Sequence, residues 1–306
     1  MNAHLVSLVM PAWQPRADWL RAAVDSALGQ RGVELELLVV DDGSPEPVEG
    51  ILADVDDVRL RVLRIPHGGA AAARNAGIAE ARGSHIRFVD GDDVFEAGST
   101  ARLLALGGDP GVVTYGGTLV CDEHMRPIWP MTTTLQGEAS EACLLGLFTV
   151  RPGALLFPRA VVDAAGPWDT ELRVVEDWDF VLRALEHAKV RGDRTIATYY
   201  RRHSSSQTAD KDVGERVARR VVEKYFERHP EQRGSRLERR ARARLAATGA
   251  RVALVHGRPR EAVRRLSDAL RTDPSAIGDE LAQALPALTA TTRYRLRRAL
   301  ERGTSR

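Results

Sequence analysis

At 306 residues, with 43% hydrophobic and 28% charged residues, the chain is long enough for one large domain or a domain with an appendage, and its composition excludes global disorder. No apolar run approaches the roughly 18 residues of a membrane span. The opening Met1-Asn2-Ala3-His4-Leu5 lacks the basic segment and cleavage site of a secretory leader, so a cytoplasmic protein is expected. The net charge of +2 hides an asymmetry: 20 basic and 30 acidic residues stand up to Asp210, against 24 basic and 12 acidic after it. Two readings of the basic part stand side by side: a region lying near acidic material such as a membrane face, or an Arg-rich helical surface paired with Glu.

Leu5 to Met10 is an apolar run that stops at Pro11, as an interior parallel strand does. A second such run, Leu35 to Val40, ends in Asp41-Asp42-Gly43-Ser44-Pro45. Between them, Asp18 opens a stretch with apolar residues at Leu20, Ala23, Val24, Ala27 and Leu28 before Gly29, which predicts an amphipathic helix with Asp18 as its cap. Arg59 to Ile65 predicts a third strand, and Gly68 to Arg82 an Ala-rich helix carrying Arg74-Asn75-Ala76-Gly77-Ile78. The strand from His85 then runs into Asp90-Gly91-Asp92-Asp93. Strands alternating with helices in this way make a doubly wound nucleotide-binding half, with right-handed crossovers that open the strand ends onto one sheet edge.

Neither a Gly-x-Gly-x-x-Gly loop nor a Walker-type Gly-Lys-Ser/Thr is present to cradle phosphates. Asp90, Asp92 and Asp93 sit where ligands bind in such sheets, and their mutual repulsion calls for a cation or a donor. Hard oxygen ligands favour Mg²⁺ or Mn²⁺, with substrate phosphates completing the shell. The same residues also read as a solvated turn after a strand.

Further strands are expected at Val112 to Cys121 and Gly153 to Phe157, followed by a turn at Gly166-Pro167-Trp168-Asp169. Glu176-Asp177-Trp178-Asp179 opens a helix to about His187, where acidic residues suit either the helix dipole or a catalytic role. Tyr199 to Ser206 ends a strand in a basic, hydroxyl-rich loop suited to phosphate contacts. Cys121 and Cys143 form no metal or redox spacing and are expected to be buried or half-buried thiols.

Taken in order and spacing, Pro11-Ala12-Trp13, Val39 to Ser44, Ala73 to Ile78, Phe88 to Asp93, Glu176 to Asp179 and Arg201-Arg202-His203 resemble the family 2 glycosyltransferases. The resemblance covers roughly residues 5 to 208. It implies a glycosyltransferase A-type α/β fold, with a mostly parallel central sheet flanked by helices, a nucleotide-sugar donor, a divalent metal and inversion at the anomeric carbon. By matching position, Asp42 is expected to accept from a ring N–H of the base, with Pro11, Ala12 and Trp13 lining the nucleoside site. Arg74 is expected to contact the nucleotide or brace the acidic loop, and Asp90 and Gly91 to lie at the ribose or a metal-bound water. Asp92 is assigned to the metal, His203 to the metal or diphosphate shell, and Asp177 to the general base. The family often has Tyr at Trp13 and an aromatic, acidic strand at His85 and Arg87, so this chain departs from the pattern there. An Asp on a ring N–H favours a UDP-sugar donor. The acceptor is expected to be a hydroxyl of a glycan or lipid-linked sugar in polysaccharide or glycoconjugate biosynthesis, and no nucleic acid is expected as a substrate.

Residues 1–210 are therefore assigned to a catalytic domain and 211–306 to a helical C-terminal region. Within the latter, Ala253, Gly257, Ala262, Leu266, Ala269 and Pro274 resemble one tetratricopeptide helix pair. The basic Arg293-Tyr294-Arg295-Leu296-Arg297-Arg298 is expected to reach an anionic membrane or to end as a solvated helix. Two alternatives accompany the leading function: a sugar-phosphate nucleotidyltransferase, which is expected to carry a Gly-rich basic loop after the first strand, and a non-catalytic nucleotide-sugar-binding scaffold.

Overall fold

In the computed structural model, residues 5–107, 109–203 and 211–282 are described. Ser204 to Ser206 and the basic segment Arg293 to Arg298 lie outside the described residues. Two compact units are formed, one by the described residues of Met1–Ser140 and Phe148–His203, the other by those of Glu141–Leu147 and Ser204–Arg306.

The first unit opens with strand β1 (Val6–Ala12), helix α1 (Ala17–Leu28), strand β2 (Leu35–Asp41), the short α2 (Val48–Ile51), β3 (Leu60–Arg64), α3 (Ala70–Glu80) and β4 (His85–Phe88). Strands β1 and β2 are buried along their whole length, which is why they read as unbroken apolar runs. The helix α1 begins one residue before Asp18, which lies in its first turn and makes no cap bond, because Arg16 occupies the cap position. Asp18 instead pairs with Arg16 on the surface. After β4 come β5 (Val94–Phe95), α4 (Ser99–Leu106), β6 (Val112–Cys121), β7 (Pro127–Met131), β8 (Gly137–Glu138) and α5 (Ser140–Leu144). A 3-10 turn at Pro152–Ala154 leads into β9 (Leu155–Pro158), so the strand expected from Gly153 starts two residues later. Helices α6 (Arg159–Ala165) and α7 (Glu176–Leu185) and strand β10 (Lys189–Arg201) complete the unit.

The sheet order is β3-β2-β1-β4-β9-β6-β10-β5, with β7 on β6 and β8 on β10. Its first four strands are parallel, so the carboxyl ends of β1, β2 and β4 share one edge. Beyond β4 the sheet is mixed: β9 runs antiparallel between β4 and β6, and β10 returns parallel to β6. The fold is thus the expected α/β class, with the parallel half carrying the two Asp-bearing strand ends. Cys121 and Cys143 are both buried and free.

A buried cation stitches the two halves of the sheet. Arg87 on β4 is fully buried. Its Nε and Nη2 donate to the Gly153 carbonyl, Nη2 also to the Ala197 carbonyl, and Nη1 to the hydroxyls of Ser99 and Thr100, at 2.6 to 3.1 Å. Phe95 lies under the guanidinium at 3.8 Å. All five donors are used on neutral acceptors. Burial, then the nearby Arg102, push its pKa well below the usual arginine value.

The second unit contains α8 (Lys211–Arg228), α9 (Arg236–Val255) and α10 (Pro259–Thr272). Ser235 caps α9 by accepting from the Glu238 amide, while a Glu238 carboxylate oxygen accepts from the Gly234 amide. Helices α9 and α10 form a tight hairpin through Gly257, with the small residues Ala250, Ala253, Ala262 and Ala269 buried. Arg244 in this unit is buried, donates to the Leu145 carbonyl and pairs with Glu280. No helix among the described residues is long and apolar enough to cross a membrane.

Arg87→Met is expected to lower stability by about 2 kcal/mol or more, since the carbonyls of Gly153 and Ala197 lose their donors at about 1–3 kcal/mol each. Urea unfolding measures this directly, and an unchanged midpoint would show that the stitch is dispensable.

Candidate active site

The first wall of the site forms where β1 and β2 end. Asp41 is buried and accepts from the amides of Ser44 (2.9 Å) and Val48 (3.3 Å) and from Arg64 Nη1 (2.5 Å), which closes the turn. Gly43 adopts φ +70°, and a Cβ there would lie 2.7 Å from the His67 amide nitrogen, so only glycine fits. Asp42 is also buried. Its two carboxylate oxygens accept from the Gly68 and Gly69 amides at 2.8 Å, at the start of α3, where a negative charge suits the helix dipole. His67 Nδ1 lies 2.9 Å from an Asp42 carboxylate oxygen and 3.0 Å from its carbonyl. Facing two acceptors, that nitrogen carries a proton. The half-exposed His67 ring stacks on the exposed indole of Trp13, with centroids 4.9 Å apart. Pro11 and Ala12, buried in β1, sit beside Val40 and Asp41.

Helix α3 supplies the link from this wall to the acidic loop. Gly77 lets the helix settle on β1: a Cβ there would come 2.4 Å from Val9 Cγ1. Asn75 brackets Trp168, donating to its carbonyl and accepting from its amide. Arg74 is buried; its Nη2 donates to Asp90 at 2.7 Å, its Nη1 to Glu176 at 3.1 Å, and the guanidinium lies 4.4 Å over the Trp168 ring.

The acidic loop follows β4. Carboxylate oxygens of Asp90, Asp92 and Asp93 lie within 4.8 Å of one another. Asp92 accepts from His203 Nε2 at 2.7 Å, bringing together the two residues assigned to the metal. Asp93 is buried and accepts from the Arg201 amide, while Arg201 Nε donates to the Asp92 carbonyl. Trp19 of α1 packs against His203, and the Arg201 and Arg16 guanidinium groups lie over its ring. Gly91 packs closely on Leu20 and on the Pro11 carbonyl, so a side chain there would press on both.

The opposing wall is the start of α7. Phe180 stacks on Trp168 at 4.3 Å and meets Phe88 of β4 edge-on, which ties the helix to the strand carrying the acidic loop. Val175, immediately before the helix, holds φ +64°, a left-handed conformation that a β-branched residue adopts only under strain. Glu176 is buried and paired with Arg74. Asp177 is half-buried, and one of its oxygens accepts from the Trp178 amide at 2.8 Å.

The arrangement joins Asp90, Asp92, His203, Arg74 and the Glu176-Asp177 pair in one network, with Asp42 and Trp13 at the neighbouring strand ends. Four participants escaped the sequence reading: His67, Trp168, Trp19 and Arg151. His67 stands next to the glycines that open α3, a signal that was available. Arg151, ahead of the 3-10 turn, lies 3.8 Å over the Tyr200 ring in the field of Asp177, Asp93 and Asp90, and no local pattern marks it.

The sequence model of glycosyl transferase family 2 matches residues 7–162, more than half of the chain. The chain belongs to this family. Among curated relatives, an uncharacterized glycosyltransferase EpsJ of Bacillus subtilis is 38% identical over 101 residues, covering 32% of this chain and 29% of that protein. The uncharacterized glycosyltransferase RP339 of Rickettsia prowazekii is 25% identical over 212 residues, 67% of this chain and 66% of its own length. The succinoglycan biosynthesis protein ExoO of Rhizobium meliloti is 37% identical over 100 residues, 32% of this chain and 28% of that protein. The chain therefore spans less than two thirds of each of these relatives. The strand ends, the acidic loop and the base of α3 all fall inside the matched family 2 region, whereas Glu176, Asp177 and His203 lie beyond it.

The acidic loop of this family 2 glycosyltransferase is electrostatically strained. Burial first, then Asp90, raise the pKa of Asp92 against the opposing His203 contact. Burial, then Asp92 and Asp90, raise Asp93 well above the usual carboxylate value. Burial also raises Glu176, although Arg74 opposes it. Unfolded aspartates titrate near 4, so the folded chain binds more protons above that pH, and stability is lost as pH climbs through the raised values. The melting temperature of the unaltered chain minus that of Asp93→Asn, in EDTA, is expected to be near zero at pH 4 and negative at pH 7. A difference that does not change with pH would contradict the strain.

Proposed function

We propose that the protein is an inverting glycosyltransferase that moves a sugar from a nucleotide diphosphate, UDP favoured, to a hydroxyl acceptor. The observation that carries this reading is the Arg74 bridge, which holds the acidic loop at Asp90 and the helix start at Glu176 as two walls of one site. In this reading the leaving group is held by the acidic-loop wall and the base, Asp177, comes from the other, as single displacement requires.

Three clustered carboxylates with His203 beside them form a donor set suited to Mn²⁺ or Mg²⁺, and the repulsion that Arg74, His203 and the Arg201 amide leave among the carboxylates is what a divalent cation would offset. Asp92 and His203 would hold the ion, with Asp90 and Asp93 in the same cluster. When bound, it supplies Lewis-acid neutralisation of the diphosphate leaving group. Trp13 and His67 offer ring faces to the base, and Asp42, which also accepts from the Gly68 and Gly69 amides at the start of α3, is the proposed acceptor for the ring N–H that favours uracil. Asp177 takes the proton from the acceptor hydroxyl as the new glycosidic bond forms, and Glu176, neutralised by Arg74, keeps the helix start in place.

The acceptor we infer is a hydroxyl of a glycan or lipid-linked sugar, supported by the likeness to a succinoglycan biosynthesis protein. Two free buried thiols support a cytoplasmic setting, and the excess of 24 basic over 12 acidic residues after Asp210 supports peripheral contact with an anionic membrane face. Residues 1–210 form the catalytic domain in this reading and 211–306 the helical region.

With the correct donor and metal, Asp92→Ala is expected to lose at least about 100-fold in turnover, the order of a lost electrostatic stabiliser. Asp177→Asn should keep donor binding by calorimetry while transfer falls by a similar factor. Full turnover in Asp92→Ala, or weakened donor binding in Asp177→Asn, would refute these assignments.

A further inference from the structure

Among the described residues, no anion pairs with the side chain of Arg151. Its guanidinium lies 3.8 Å over the Tyr200 ring, a half-buried setting that orients the planar group. Among the described residues its guanidinium makes no hydrogen bond or ion pair, in contrast to Arg87, whose five donors are all engaged with neighbouring chain segments. Tyr200 is followed directly by Arg201, whose amide donates to Asp93 and whose Nε donates to the Asp92 carbonyl, so Arg151 stands beside the acidic loop, in the field of Asp177, Asp93 and Asp90.

The backbone that carries Arg151 is fixed from below. The Arg151 carbonyl accepts from the Ala154 amide, closing the 3-10 turn. The Gly153 carbonyl within that turn accepts twice from the buried Arg87. A Cβ on Gly153 would press on Thr198 Oγ1 at 3.3 Å, so the turn lies flat on β10. An aromatic stack and a pinned turn thus hold a guanidinium fork whose N–H donors are not used by the described residues. Such a fork matches two oxygens of one phosphate group.

We propose that Arg151 is a substrate-binding residue that grips a phosphoryl oxyanion in the active site. This rests on the nucleotide-sugar reading and extends it to a residue on the Asp177 side of the cleft. The phosphate has two sources of the same chemistry, the diphosphate of the donor or a phosphate carried by the acceptor. In either case the added negative charge gives the guanidinium the bidentate partner that the protein withholds.

The test is calorimetric binding of UDP, UMP and uridine, each with Mn²⁺, and of dodecyl phosphate with UDP and Mn²⁺ present. The unaltered chain, Arg151→Lys and Arg151→Met are compared. UDP binding by the unaltered chain checks the underlying function separately, and its absence would refute that reading rather than this residue. Given such binding, a loss of UDP affinity of about tenfold or more in Arg151→Met, a smaller loss in Arg151→Lys and unchanged uridine affinity would support the donor diphosphate as the source. Unchanged UDP affinity with a loss of about tenfold or more for dodecyl phosphate would support the acceptor. Equal losses for UDP and uridine would indicate a merely structural role and overturn the proposal, as would unchanged affinity for every phosphate probe.

Discussion

The site depends on one buried guanidinium. Arg74 reaches from α3 to Asp90 after β4 and to Glu176 at the head of α7, so three elements distant in sequence are held by one planar group. Burial disfavours its charge, yet Asp90 and Glu176 more than offset this and raise its pKa. The Trp168 face beneath it replaces lost water on the apolar side, and Asn75, one residue on, fixes Trp168 through its backbone. A lysine could supply the charge at this position but not the fork, and the two walls would lose their common spacer.

Around that spacer the molecule keeps its charges deliberately unbalanced. Asp90 and Glu176 share Arg74, Asp92 has His203, and Asp93 is buried with, among the described residues, only the Arg201 amide as a donor. Repulsion within the acidic loop is a cost that folding carries, and in the proposed function it is the cost of presenting oxygen ligands to a cation. Arg151 is the complementary case, a cation left open beside those carboxylates. In the proposed function, substrate and metal together supply what each lacks, so that binding would itself relieve the strain. The strained Val175 backbone before Glu176 belongs to the same economy of local cost at the reacting centre.

Much of this was legible in the sequence, because the first half of the sheet is built from local patterns. β1 and β2 read as buried strands, α3 as an Ala-rich helix, and the ordered motifs named the residues at the strand ends, in the acidic loop and at the start of α7. What escaped reading depends on partners far along the chain. Arg87 looked like a departure from the family pattern; its meaning lies in the carbonyls of Gly153 and Ala197, which no spacing encodes. The antiparallel insertion of β9 between β4 and β6 was equally silent, since a four-residue apolar strand carries no direction. At Asp42 the motif identified the residue but not its partners: the amides of Gly68 and Gly69 take both oxygens, and His67 presents the exposed ring.

The central claim is that a nucleotide sugar and a divalent cation bind this site together. Thermal shift of the full chain against UDP-, GDP- and dTDP-sugars, with and without Mn²⁺, tests it most directly. The account predicts that UDP-sugars raise the melting temperature most, and only when Mn²⁺ is present. Stabilisation that is indifferent to Mn²⁺, or none with any nucleotide sugar, would contradict it.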